Sequence, residues 1–315
     1  MGLCITQKLR NKAVSLTRRI KASAQSGIRR CTNKGAPIEC VQLESFEAFQ
    51  SWRDRQRREI EKRQTYLKSC EARQGRISTP GFCVCCQQHR TMRTANPPKT
   101  QPNWRESAIC DSCHFSSRLR ACIYLLREKI RPTPVAQVYI TEQVTGVYQW
   151  FLRCFPNTVG SEYLRDGTQR GEINSKGIRH EDLTSLTFQD SSKDLIVSFE
   201  VCEHIPDFQR AFAECSRVLK PGGTLLLSVP FHAGPKHLTR ATMGPDGSIA
   251  HIEPPEYHGD PLSDAGCLCF HHFGWDILDH LKASGFRSAK AYAIWSACSA
   301  YLASEGYQLH FVAVK

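Results

Sequence analysis

The 315-residue sequence has no run of 18 apolar residues, which excludes a bilayer-spanning helix. Its start is basic but lacks the apolar core, roughly 7–15 residues long, that a secretory signal needs. Residues 1–38 contain no acidic side chain. No internal repeat is present, so a stacked-repeat architecture is set aside. Without a signal, and in a chain this long, sixteen cysteines read as reduced thiols and metal ligands rather than as a disulfide scaffold. These absences together predict a cytoplasmic protein. The hydrophobic content of 41% and charged content of 23% are ordinary for a globular chain and leave room for one large domain or two smaller ones.

The charge is unevenly placed. Residues 1–134 hold 27 Lys and Arg against 10 Asp and Glu, whereas residues 135–315 hold 15 against 20, which together give the net +12. A basic front half suits an anionic partner, whether nucleic acid, a membrane surface or a phosphorylated substrate, without choosing among them, or it is a solvated face. Residues 1–44 read as a loose basic N-terminal tail. Lys8, Arg10, Lys12, Arg18, Arg19 and Lys21 alternate there with Leu9, Val14, Leu16 and Ile20, a pattern for peripheral membrane contact. Met1-Gly2-Leu3-Cys4-Ile5-Thr6 matches the short acylation pattern at Gly2, although so short a pattern arises easily by chance.

Residues 45–80 form a charged segment whose 45–73 stretch reads as one helix, free of Gly and Pro, with a thin stripe of Phe46, Phe49, Trp52, Ile60 and Leu67. Residues 81–134 are cysteine-rich, with a loop over 93–103 and a helix over 116–129, closed by Pro132 and Pro134. From residue 135 strands alternate with helices, the mark of an α/β parallel sheet with crossover helices. Strands are expected at 138–140, 159–161, 178–180, 194–199, 224–229, 290–294 and 308–314. Helices are expected at 147–155, 208–219 and 275–284. Residues 231–271 make a His- and Pro-rich insertion.

Cys83-Val84-Cys85-Cys86 and Cys110-Asp111-Ser112-Cys113 supply two C-x2-C knuckles separated by 23 residues. A tight turn lets both thiolates of a knuckle face one tetrahedral ion, so Cys83, Cys86, Cys110 and Cys113 are the expected ligands of a structural zinc. Four thiolates leave no open position for a catalytic water. Cys85 is a spare thiol, and His89 and His114 are weaker ligand candidates.

The ends of the expected strands carry acids. Glu142 follows the first, Glu162 the second, Asp182-Leu183 the third and Glu203-His204 the fourth. Ligands of open α/β sheets sit beyond these carboxyl ends. Residues 135–315 resemble a class I S-adenosylmethionine-dependent methyltransferase (type 11-like). The resemblance rests on Asp182-Leu183-Thr184, Asp194-Leu195-Ile196-Val197, Glu203-His204-Ile205 and Arg217-Val218-Leu219-Lys220-Pro221-Gly222-Gly223. The front half resembles a subgroup with an N-terminal Cys4 zinc-ribbon-like module, through Asn103-Trp104-Arg105-Glu106 and Arg118-Leu119-Arg120-Ala121 around the second knuckle. The insertion motifs 254–260 and 269–275 fit the same subgroup.

This resemblance implies a Rossmann-like seven-stranded sheet with helices on both faces and an antiparallel last strand. It implies S-adenosyl-L-methionine held by Glu142, Thr145, Gly146, Glu162, Asp182, Leu183 and Glu203. Glu162 is expected on the ribose diol, Asp182 on the adenine amine and Thr145 on the cofactor carboxylate. The family's first loop usually reads Asp/Glu-x-Gly-x-Gly; here it is Glu142-Gln143-Val144-Thr145-Gly146, with Val144 in place of the first Gly. His204 and His232 are the candidate bases, followed by His258, His271 and His272. No Asn/Asp-Pro-Pro-Tyr/Phe follows the fourth strand, so adenine-amine methylation of the usual design is not expected. Cys202 reads as a packing cysteine. Three readings stay open: methylation of a small-molecule or glycan acceptor, an RNA methyltransferase gripping phosphates with its basic front half, or a binding protein with a degenerate cofactor loop.

Overall fold

The computed structural model describes residues 38–71, 78–94 and 103–315. The basic stretch before residue 38, with its acylation and membrane-contact patterns, lies outside the described residues. The chain divides into two compact units that do not follow a cut after residue 134. Among the described residues, 40–55, 121–293 and 309–315 form one unit, and 38–39, 56–71, 78–94, 103–120 and 294–308 form the other.

The larger unit is built on a seven-stranded sheet of β1 (Glu39–Leu43), β2 (Val138–Ile140), β3 (Thr158–Gly160), β4 (Lys193–Phe199), β5 (Leu219–Ser228), β6 (Ser288–Trp295) and β7 (Gln308–Val314). Their order across the sheet is β1-β6-β7-β5-β4-β2-β3. β2 pairs in parallel with β3 and β4, and β4 in parallel with β5. β7 runs antiparallel to β5, as the resemblance implies. The middle of β4 is apolar, and Leu195, Ile196 and Val197 are all buried, as a strand covered on both faces requires.

Two corrections concern the strands. The expected strand at 178–180 is not a ladder: His180 makes a single parallel bridge to Glu162. The seventh strand is instead β1, at the opposite edge, from a stretch that reads in sequence as part of the tail. Local chemistry sets the crossover helices. Thr145 caps Gly146–Cys154 by accepting from the Tyr148 amide, and Asp207 caps Phe208–Val218 by accepting from the Arg210 amide. The second of these helices buries Phe208, Ala211, Phe212 and Cys215, spaced three and four apart. The insertion folds as three small antiparallel ribbons: Leu238–Thr239 with His271–His272, Ala241–Met243 with Ile249–His251, and Tyr257–Asp260 with Ser263–Leu268.

The expected single helix over 45–73 is two helices, Phe46–Arg55 and Arg57–Glu71, interrupted at Gln56. Neither Gly nor Pro marks the break. It falls where the chain passes from one unit to the other: Phe49 and Trp52 are buried in the larger unit, and Ile60, Arg63 and Leu67 in the smaller. Tertiary burial outweighs helix propensity here.

The smaller unit contains a three-stranded sheet of Ser78–Cys83, Gln88–Thr94 and Ala108–Cys110. Its core includes a fully buried guanidinium. Arg120 donates to the carbonyls of Phe115 (3.2 Å), Ala108 (3.1 Å), Ala300 (3.0 Å) and Ser299, and lies over the Tyr301 ring. Segments 179 and 180 residues apart in sequence are thereby fixed through one side chain. Arg120→Leu would strand these buried acceptors at about 1–3 kcal/mol each. Denaturant unfolding should show a loss of at least about 3 kcal/mol. A Leu variant as stable as the wild type would show that the carbonyls find other donors.

Candidate functional site

Glu162 and the loop after β2 meet at the carboxyl edge of β2 and β3. Glu162, two residues beyond β3, directs Oε1 back onto the loop after β2, where it accepts from the amides of Gln143 (2.6 Å) and Val144 (3.0 Å). Its Oε2 takes no hydrogen bond from the described residues. Burial pushes this carboxyl up, the two amides pull it down, and the neighbouring charge of Asp260 raises it again; the net direction is upward. The Gln143 side chain accepts from the Arg179 amide (2.8 Å) and donates to the Gly177 carbonyl (2.9 Å). The loop is thus tied both to β3 and to the bridging segment.

Thr145 spends its oxygen lone pair on the helix cap and leaves its hydroxyl proton to donate elsewhere. Gly146 is the first residue of that helix. Val144 is 40% exposed, so its side chain is turned aside rather than packed under the loop. The close approach here is provided by Gly160 at the end of β3, which sequence reasoning passed over. A Cβ on Gly160 would lie 2.6 Å from the Glu142 carbonyl oxygen and 2.6 Å from the Tyr148 ring. Its signal was its place two residues before Glu162. Asp182 Oδ1 accepts from the Thr184 amide (2.8 Å) and hydroxyl (2.7 Å), which fixes the turn, and Leu183 is buried beside it.

Beyond β4 the structure brings together residues that sequence could not group. Glu203 is fully buried, and neither of its carboxylate oxygens accepts a hydrogen bond. Its Oε1 lies 3.5 Å from His258 Nδ1 and 3.6 Å from His204 Nε2. His204 Nδ1 donates to the Leu268 carbonyl (2.8 Å). His258 Nε2 faces Glu256 Oε1 at 3.0 Å, and Glu256 is also held by His272 Nε2 (3.1 Å) and Arg240 (3.3 Å). Burial pushes the Glu203 carboxyl up. The adjacent Glu203 carboxylate, opposed by burial and assisted by Glu256, holds the His258 ring up at about 9.

His232 is set apart from this group. Its Nδ1 accepts from the Gly234 amide (3.0 Å), so the neutral ring carries its proton on Nε2, which is buried and unbonded. His232 therefore presents a donor, whereas His204 presents a lone pair. His271 reaches the Pro206 carbonyl (3.1 Å) through Nε2. Cys202 is buried against the Ser198 hydroxyl (3.6 Å), and burial pushes its thiol up to about 12, as suits a packing cysteine.

In the smaller unit the four knuckle cysteines converge. Cys83 and Cys113 Sγ are 3.7 Å apart, and Cys86 and Cys110 Sγ are 4.0 Å apart. The two turns repeat one geometry. The Gln87 amide bonds the Cys83 carbonyl (2.8 Å) and the His114 amide the Cys110 carbonyl (3.1 Å). Gln87 and His114 both take positive φ, 56° and 60°. His89 and His114 are not in the cluster, and neither is Cys85.

Residues 149–227 match the methyltransferase domain family. A probable S-adenosylmethionine-dependent methyltransferase of Mycolicibacterium smegmatis is 47% identical over 53 residues, covering 17% of this chain and 21% of that protein. An uncharacterized methyltransferase of a Mycobacterium species is 36% identical over 105 residues, covering 32% of this chain and 42% of its own. The chain thus spans well under half the length of these curated relatives. The crystal structure of an S-adenosylmethionine-dependent methyltransferase from Mesorhizobium loti aligns at a TM-score of 0.40 with 20% identity, over 64% of this chain and 98% of the other. Residues 149–227 are thus similar to the methyltransferase domain family, over about a quarter of the chain.

Glu162→Gln separates two roles of this carboxyl. Its folded pKa is raised, so the stability it contributes is full below the unfolded carboxyl pKa and declines as pH rises through the folded value. The Gln variant should lack that decline and be at least as stable as wild type at pH 7. Its affinity for S-adenosylhomocysteine should nonetheless fall on the order of 10-fold, because a charged acceptor is stronger than a neutral one. Calorimetry and pH-dependent melts report both; unchanged affinity would remove Glu162 from the cofactor site.

Proposed function

We propose that this protein methylates a small-molecule or glycan acceptor, with S-adenosyl-L-methionine as donor and a structural zinc in the cysteine module. The observation that carries the reading is the pair of acidic side chains Glu162 and Asp182 beyond the sheet's carboxyl edge, each accepting from local backbone amides. The larger unit, with residues 135–293 and 309–315, supplies the methyltransferase domain, and the cysteine-rich part of the smaller unit, up to residue 120, supplies the zinc module. Glu162 Oε2 is the acceptor for the ribose hydroxyls, Asp182 the acceptor for the adenine amine, and Leu183 the apolar contact beside it. Glu142, Thr145 and Gly146 form the loop facing the methionine end. The bound cofactor supplies a methyl group already activated on a sulfonium, so the chain mainly aligns the acceptor and removes its proton. Glu203 and His204 line the acceptor side, and the His204 lone pair is better placed to take a proton than His232, whose Nε2 already carries one.

Val144 does not argue for a degenerate loop. Its side chain points outward, and the loop holds its shape through the two amides on Glu162. An RNA acceptor is less well supported. Trp104 and Phe115, the module's aromatic candidates for base stacking, are both buried, and Trp104 Nε1 bonds Glu71 at 3.1 Å.

Sulfurs about 2.3 Å from a tetrahedral zinc stand about 3.8 Å apart, which the knuckle separations match. Cys110→Ser should release one equivalent of zinc, read by elemental analysis, and lower the melting temperature. Unchanged zinc content would dismiss the site. Titration of the full chain with S-adenosylhomocysteine tests the activity class: about one equivalent should bind, and no heat at any accessible concentration would overturn the methyltransferase reading.

A further inference from the structure

We propose that Glu203, His204 and His258 form a second metal site, for a divalent first-row transition ion, at the acceptor end of the methyltransferase domain. Their donor atoms lie within 4.8 Å of one another. The protonation pattern points inward. A carbonyl cannot donate, so the bond to Leu268 places the His204 proton on Nδ1 and turns the Nε2 lone pair toward Glu203. Glu256 likewise takes a proton from His258 Nε2 and leaves Nδ1 facing the same carboxylate. Two imidazole nitrogens and two unpartnered carboxylate oxygens then converge in a buried place. Such an arrangement is costly without a cation to resolve it.

The spacing suits an ion. Nitrogen and oxygen donors about 2.1 Å from a tetrahedral ion stand about 3.4 Å apart. The observed separations of 3.5 and 3.6 Å are close to that edge and longer than an N–H···O hydrogen bond. The surroundings suit it as well. Each histidine is oriented through its other nitrogen, by a carbonyl or a carboxylate, and Glu256 is in turn held by His272 and Arg240. Two histidines and one carboxylate leave coordination positions open, as catalytic sites do and the four-cysteine cluster does not. What the ion does rests on the methyltransferase reading: its open positions would hold an acceptor oxygen and favour the deprotonated form, a task that otherwise falls to His204. A proton on His258 Nδ1 is the competing occupant, and metal binding would release it.

Manganese(II) is a suitable probe, since it prefers imidazole and carboxylate to thiolate and so ignores the cysteine cluster. The full chain, treated with citrate to clear weakly held ions, is titrated while the electron paramagnetic resonance signal of free Mn(II) is followed. Wild type should take up one equivalent, His258→Ala none, and Glu256→Gln should bind about 10- to 100-fold more weakly. Unaltered circular dichroism and melting of Glu256→Gln guard against a folding defect. No uptake by wild type, or equal uptake by His258→Ala, would overturn the site in favour of the proton. S-adenosylhomocysteine binding is measured on the same samples. Cofactor binding without Mn(II) uptake sinks the metal site alone, whereas uptake without cofactor binding upholds the site and sinks the methyltransferase reading.

Discussion

A carboxylate removed from water has to be compensated, and Glu203 imposes that requirement at the centre of the larger unit. It sits just past β4, whose apolar side chains are committed to the sheet interior, so the strand itself offers it nothing. Compensation comes from 231–271, which in sequence reads as an irregular His- and Pro-rich excursion. The Phe270 amide bonds the Glu203 carbonyl at 2.8 Å, and the Leu268 carbonyl and the His258 ring come to the same place. The three ribbons of the insertion are therefore more than surface elaboration. They supply the His258 ring that faces Glu203 and the Leu268 carbonyl that orients His204.

A second carboxylate organises the other half of the site. By accepting two consecutive amides with one oxygen, Glu162 shapes the loop after β2 from the outside, and Gly160 lets the loop's first carbonyl and the helix ring of Tyr148 approach β3. A glycine-poor loop can hold this form because its order is imposed by a neighbouring strand. Conformational permissiveness at Val144 matters less when the backbone amides are already committed.

Much of the sheet was legible in the sequence. Strands β2, β4 and β7 and the helix Phe208–Val218 carry clear periodicity, and capping at Thr145 and Asp207 follows from residue type alone. The convergence of the four knuckle cysteines follows from spacing. What sequence could not show depends on partners distant in the chain. The break at Gln56 has no local cause, the segment at 178–180 has strand composition but only two isolated bridges, and the strand Glu39–Leu43 lies beside a basic tail that hides it. The histidines of the insertion were visible singly. Their grouping around Glu203, and the opposite proton placement in His204 and His232, depend on which carbonyl or amide each ring meets, which periodicity does not encode.

The Arg120 clamp bears on the order in which the polypeptide is made. Its knuckle-side partners, Ala108 and Phe115, are near it in the nascent chain, but the carbonyls of Ser299 and Ala300 are made only after six of the seven sheet strands. Translation at about 5–20 residues per second leaves the guanidinium half-satisfied for roughly 10 s or more. The cysteine module can thus close on itself early, but its interior is completed only once residues 299 and 300 have been made. During that interval Arg120 holds only the Ala108 and Phe115 carbonyls.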